Sequence, residues 1–174
     1  MDTQPMFSTL ADALDLNLDA MVAIDGQAMP QPYRDLLVHE GDMTLRLQDH
    51  YQTEIHLRAL SVVREQERLL RKVLLTRPDG LLVEFGVIRI FLDVFTDEVR
   101  PWVESCRYPL GGLLARFNVP RRSELQGFFR IRSDAALEDV LGLERTTDLY
   151  GRLNRLVTTD HQTIAEVVEI LPPS

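Results

Sequence analysis

From Glu54 onward the chain reads in steps of two. Ile55, Leu57, Ala59, Ser61 and Val63 alternate with His56, Arg58, Leu60, Val62 and Arg64. That is the period of a strand, whose successive side chains point to opposite faces. A second strand is predicted from about Arg68 to Thr76, and a third from Leu81 to about Leu92. Pro78-Asp79-Gly80 separates them as a turn, because proline fixes φ and glycine supplies a positive φ. Adjacent strands joined by so short a connection form an antiparallel hairpin. Phe128, Phe129 and Ile131 predict a fourth strand. Two more run over about residues 147–158 and 163–171, joined by Thr159-Asp160-His161-Gln162.

Helical spacing is confined to short stretches. Leu10, Leu14, Leu16 and Met21, with Ser8 as cap, predict an opening helix, and Asp25-Gly26 begins a linker, so residues 1–31 read as N-terminal helix and linker. Pro32 to Leu37 reads as a short helical turn. Asp42 is placed as the N-cap of a two-turn helix that begins at Met43. Asp97 to Glu104 predicts a short helix with Trp102 on its apolar side, Pro109 suits the first turn of another, and Asp134 caps one that ends near Gly142. The sum is an α+β chain in one domain, residues 1–174: a mainly antiparallel sheet of five or six strands with helices on one side or at its ends.

Composition narrows function by exclusion. With 174 residues and 45% hydrophobic content, the chain buries a core without staples. A net charge of −8 repels a phosphate backbone, so nucleic acid is not the expected partner. The single cysteine, Cys106, cannot form an internal disulfide, which fits a reducing, cytoplasmic compartment. One cysteine and four scattered histidines offer no metal set. No secretory leader is evident, and no apolar run approaches the roughly 20 residues of a membrane helix. There is no Gly-x-Ser-x-Gly, no phosphate-cradling glycine loop and no Gly-x-Gly-x-x-Gly.

Several residues stand out of pattern. Arg71 shares its strand face with Leu69, Val73 and Leu75. A cation on an apolar face needs an anionic partner. That partner is a bound carboxylate, gripped by the guanidinium fork, or a structural glutamate, unless the side chain snorkels to water. Glu166 and Glu169, three apart on the last strand, face opposite sides, and periodicity does not choose between them. A carboxyl in an apolar pocket has a raised pKa and can act as an acid. Glu84 reads as a structural partner for an arginine. His39, in His39-Glu40-Gly41-Asp42, suits a hydrogen-bonding role better than metal ligation. Gly111-Gly112 permits either close packing or approach of an anion to free backbone N–H groups.

Four segments, in order, resemble the chorismate pyruvate-lyase family. They are Leu36-Leu37 followed by Asp42-Met43-Thr44, the strand Leu70-Arg71-Lys72-Val73-Leu74-Leu75, the tripeptide Pro109-Leu110-Gly111, and Tyr150-Gly151-Arg152-Leu153-Asn154-Arg155 leading to a glutamate-bearing strand before Pro172-Pro173. Together they span roughly residues 33–173. The resemblance implies an antiparallel sheet of about six strands with helical flaps enclosing an internal site. It implies elimination of pyruvate from chorismate or a close analogue to give a hydroxybenzoate, with no metal and no organic cofactor. Arg71 would hold the ring carboxylate, and the backbone N–H groups of Met43 and Leu110 would complete that site, with Thr44 and Gly111 beside them. A glutamate of the last strand, Glu169 counting back from the prolines or Glu166 counting forward from Gly151, would move the proton; Glu169 is preferred. The family's Gly-Arg pair on the third strand is replaced here by Gly86-Val87, with Arg89 the next arginine, so a second carboxylate lacks its expected ligand.

The same fold serves as effector domain of bacterial transcription regulators, which makes a non-catalytic binding module for a small aromatic or cyclic carboxylate the alternative. The roughly 30 residues before Pro32 are too few and too acidic for the winged-helix DNA reader those regulators carry. A monomer or homodimer is expected.

Overall fold

A computed structural model describes residues 20–174. One sheet of seven strands, all paired antiparallel, organises them in the order β1-β5-β6-β7-β4-β3-β2. The strands are β1 (Met21–Ile24), β2 (His56–Glu65), β3 (Arg68–Thr76), β4 (Leu82–Phe91), β5 (Arg122–Arg132), β6 (Asp148–Val157) and β7 (Thr163–Leu171). Among the described residues the α-helices are α1 (Tyr33–Leu37), α2 (Met43–Tyr51), α3 (Arg100–Glu104), α4 (Leu110–Arg116) and α5 (Ala135–Leu141). None is long and apolar enough to cross a membrane.

The predicted hairpin forms as expected, with Gly80 at φ +87° in the β3–β4 turn. Asp134 caps α5 by accepting a 2.9 Å hydrogen bond from the Leu137 N–H, and Gly142 ends that helix in the left-handed region. The seventh strand departs from the six expected. Met21–Ile24 was assigned to the opening helix and linker, whereas it pairs with Phe128–Ile131 of β5. Four residues carry too little alternation to announce a strand, and this one exists because β5 offers an edge. The rest of the predicted opening helix lies outside the described residues.

β2 also differs from its reading. It is the other edge, exposed almost throughout, and a bulge between Ala59 and Ser61 breaks its alternation. The bulge puts Val62, rather than Ser61 or Val63, opposite Arg71.

Residues paired across an antiparallel ladder share a face. Arg71, Ile88, Val167 and Asn154 therefore form one row across β3, β4, β7 and β6. Two residues along, Val73, Gly86, Glu169 and Arg152 form the next, and Leu75 with Glu84 belong to the third. This face is covered by α1 to α4. One apolar cluster packs Ile88, Leu156 and Val167 against Val103, Leu110 and Leu114. Another packs Leu75 and Leu171 against Leu36, Leu37, Met43 and Leu47. The opposite face packs Leu74, Val87, Leu153 and Ile170 against Leu137 and Leu141 of α5. With helices on both faces, the sheet is buried through its centre, and any charge in those middle rows is cut off from water.

Candidate functional site

The three rows supply the floor of a cavity of about 60 Å³, by the measure under which one ordered water needs roughly 10–15 Å³. Arg71, Met43, Thr44, Leu110, Gly111 and Glu169, the residues singled out from sequence, all line it. Glu84, Gly86, Asn154 and Asp42 join them.

Arg71 is 2% exposed. Its Nη2 donates to the Tyr108 carbonyl at 3.5 Å, the outer limit of a hydrogen bond, while Nε and Nη1 are buried with no partner. Burial pulls its pKa below the ordinary arginine value, and the neighbouring Cys106 thiol acts the other way. A guanidinium carries five N–H donors, and those on Nε and Nη1 of this one have no hydrogen-bond acceptor.

Glu84 was read as a structural partner for an arginine, and that reading is corrected. It is 4% exposed, its Oε2 has no hydrogen-bond partner, and no salt bridge joins it to an arginine. Burial drives its pKa well above the usual carboxylate value, and the Glu169 charge pushes the same way against a smaller opposing effect of Arg152. Burial thus favours the neutral form of its carboxyl.

On this face of the sheet a second buried arginine, Arg152, does take a glutamate: its Nε donates to Glu169. Its Nη1 donates to the His39 carbonyl at 3.0 Å and the Leu37 carbonyl at 3.4 Å, and its Nη2 to the Gly41 carbonyl at 3.1 Å. The His39 ring stands on the same group, Nε2 lying 3.2 Å from Nη1, and its Nδ1 accepts from the Gly41 N–H at 3.1 Å. Burial and the Arg152 charge lower the His39 pKa to about 4, so the ring is neutral. His39 thus has the hydrogen-bonding place its sequence context suggested. Among the described residues no group of three or more His, Cys, Asp or Glu is arranged to hold a metal.

Glu166 lies on the opposite face, where it accepts from Arg89 at 3.0 Å. Neither reaches the cavity.

Asp42 sits at the N-cap position of α2, as read, yet its carboxylate makes no cap and pairs instead with Arg121. The first N–H groups of α2, beginning at Met43, are left without a side-chain cap beside the cavity. Gly111 explains how α4 comes so close: a Cβ there would lie 3.1 Å from the Cβ of Asp42. Gly86 keeps the floor low, because a Cβ would stand 3.1 Å from Glu84 Oε1 and 3.2 Å from Val73 Cγ2.

Sequence reasoning missed the pairing of Arg152 with Glu169, the pairing of Asp42 with Arg121, and the Ser123 hydroxyl that donates to Asn154 Oδ1 at 2.9 Å. The same-face neighbours of Arg152 are Tyr150 and Asn154, so it lacks the apolar-face signature that exposed Arg71.

Sheet order, flanking helices and an enclosed site under α2 and α4 define the α+β architecture shared by chorismate lyase-like proteins and GntR-family effector domains. Several solved structures that resemble the chain are described as transcriptional regulators or as their ligand-binding or effector domains. One, from Bordetella bronchiseptica, is described as the ligand-binding domain of a GntR-family transcriptional regulator; it is 13% identical, with a TM-score of 0.52 over 67% of this chain and 85% of that one. The effector domain of PhnF from Mycobacterium smegmatis is 13% identical, with a TM-score of 0.52 over 76% and 88%. YydK from Bacillus subtilis, described as a possible transcriptional regulator, is 10% identical, with a TM-score of 0.56 over 98% and 85%. At such identities the likeness is one of fold. No protein-family model and no curated protein matches the chain.

Proposed function

We propose that the chain is a binding module for a small carboxylic acid, held at Arg71, and that its role is recognition rather than turnover. The observation that carries this is the buried guanidinium with two nitrogens unpartnered beside a cavity. Leaving a charge buried and unpaired is costly, and a bound carboxylate accepting two parallel hydrogen bonds removes that cost. The uncapped start of α2 adds N–H groups and a favourable dipole on the same side. The ligand-binding and effector descriptions of the similar structures support the same reading.

Elimination of pyruvate from a chorismate-like substrate is the second reading. It rests on the four sequence segments and on one observation, the Glu84 carboxyl lining the cavity, whose burial favours the form that can donate a proton. Glu169, the expected proton carrier, is instead the counter-ion of Arg152.

Calorimetric titration with 4-hydroxybenzoate and with chorismate, followed by assay of each mixture for released pyruvate, tests both. Binding without pyruvate, lost in Arg71→Met, is the expected result. Pyruvate release would replace the first reading by the second, and absence of binding by any acid would remove both.

A further inference from the structure

We infer that the cavity selects a singly charged acid whose far end is an uncharged hydrogen-bonding group, and that Glu84 is the residue that reads that end. The inference rests on Arg71 as anchor and adds what the opposite wall demands.

The charges around the cavity nearly cancel. Arg152 and Glu169 neutralise each other, as do Asp42 and Arg121. Arg71 is left with one positive charge, which one carboxylate matches. A second carboxylate on the ligand would find no cation waiting. Arg152 already donates to Glu169 and to the carbonyls of Leu37, His39 and Gly41. Arg89 stands on the other face of the sheet with Glu166. At the far end a second anion would be buried beside the carboxyls of Glu84 and Glu169 with no cation to pair it, which is costly in so apolar a place.

Geometry puts Glu84 opposite Arg71. Arg71 is paired with Ile88, four residues from Glu84 on β4, so their Cα atoms are separated by roughly 14 Å along the strand direction. Between them the floor is Val73 and Gly86, and Gly86 leaves the depression that Glu84 borders. Both side chains line the cavity that lies between these ends. The charged groups acting on Glu84 are Glu169 and Arg152; burial first, and Glu169 with it, favour the neutral form against the weaker opposing effect of Arg152. A neutral carboxyl offers an O–H donor and an acceptor, and Oε2 has no protein partner to spend them on. A hydroxyl, carbonyl or amide on the ligand fills that need, while a methyl group leaves it unmet.

The test is titration calorimetry at pH 7 with two probe series, each a neutral polar, an apolar and a doubly charged acid: 4-hydroxybenzoate, 4-methylbenzoate and terephthalate, then 6-hydroxyhexanoate, heptanoate and pimelate. In at least one series the hydroxy acid is expected to bind about tenfold more tightly than its apolar partner, with the diacid weakest. Glu84→Gln, which stays neutral and polar, should keep the preference. Glu84→Met should erase it while still binding the apolar acid, which also shows that the variant is folded. Equal or tighter binding of the diacid, or an unchanged preference in Glu84→Met, overturns the inference and leaves Arg71 as anchor intact. Absence of binding in both series overturns the anchor and the inference together.

Discussion

Arg152 and Glu169 face each other as a cross-strand pair of β6 and β7, and their ion pair is closed off from water, with side-chain exposures of 0% and 7%. The same guanidinium holds the carbonyls of Leu37, His39 and Gly41, so it fastens the segment between α1 and α2 onto the sheet. One residue thereby cancels the Glu169 charge and seats the chain that leads into Met43. Arg71, in the next row of the same face, has one distant carbonyl, that of Tyr108 at 3.5 Å, and its Nε and Nη1 have no partner. The two buried arginines divide the work of structure and recognition.

Removing one member of the buried pair leaves the other charged and alone. Arg152→Met is expected to destabilise the fold by about 3–5 kcal/mol. The double variant Arg152→Met, Glu169→Leu should recover a large part of that loss. Urea denaturation of the two single variants and the double closes the cycle; additive losses would show that the pair is not coupled.

Arg71 should behave in the opposite way. Arg71→Met removes an unpaired buried cation, so the denaturation midpoint is expected to hold or rise. Carboxylate affinity should fall by about 1.5–3 kcal/mol, the worth of hydrogen bonds to a charged group. Calorimetry and denaturation on the same sample separate the two effects, and a large loss of stability would assign Arg71 to the scaffold.

Two groups set opposite pH dependences. Glu84 has a folded pKa above its unfolded value of 4.5, so the folded state holds its proton after the unfolded state has lost it. Its stability contribution is complete below about pH 4.5 and declines as pH rises toward the folded pKa. Glu84→Gln is therefore expected to gain on the native protein with rising pH. His39 has a folded pKa of about 4 against 6.5. Its contribution is complete above about pH 6.5 and is lost as pH falls through 4, and His39→Gln should flatten that limb. Denaturation midpoints from pH 4 to 8 check both slopes.

Two glycines on the central strands should respond differently. A Cβ at Gly151 would stand 2.3 Å from the Phe129 ring and 2.4 Å from the Glu169 carbonyl oxygen, so backbone must shift. Gly151→Ala is expected to cost about 1–3 kcal/mol in stability. A Cβ at Gly86 meets only the side chains of Glu84 and Val73, at 3.1 and 3.2 Å. Gly86→Ala should lower acid affinity with little change in midpoint, as read by calorimetry and denaturation.

Much of the fold was legible because local rules sufficed. The β3–β4 hairpin follows from alternation around Pro78-Asp79-Gly80, and α5 follows from Asp134 and Gly142. β1 escaped because its four residues owe their conformation to β5, and the phase of β2 was lost at the Ala59–Ser61 bulge, which no side chain announces.

The site divides along the same line. The sequence alone determined that Arg71 lies on an apolar strand face and that Glu166 and Glu169 face opposite ways, since both are consequences of a period of two. Which glutamate meets the cavity, which arginine neutralises it, and why Glu84 goes unpaired were decided only by the tertiary structure. Those outcomes depend on strand order and register, which bring residues far apart in the chain into one row, and on the helices laid over that row, which exclude the water that would otherwise screen every charge in it.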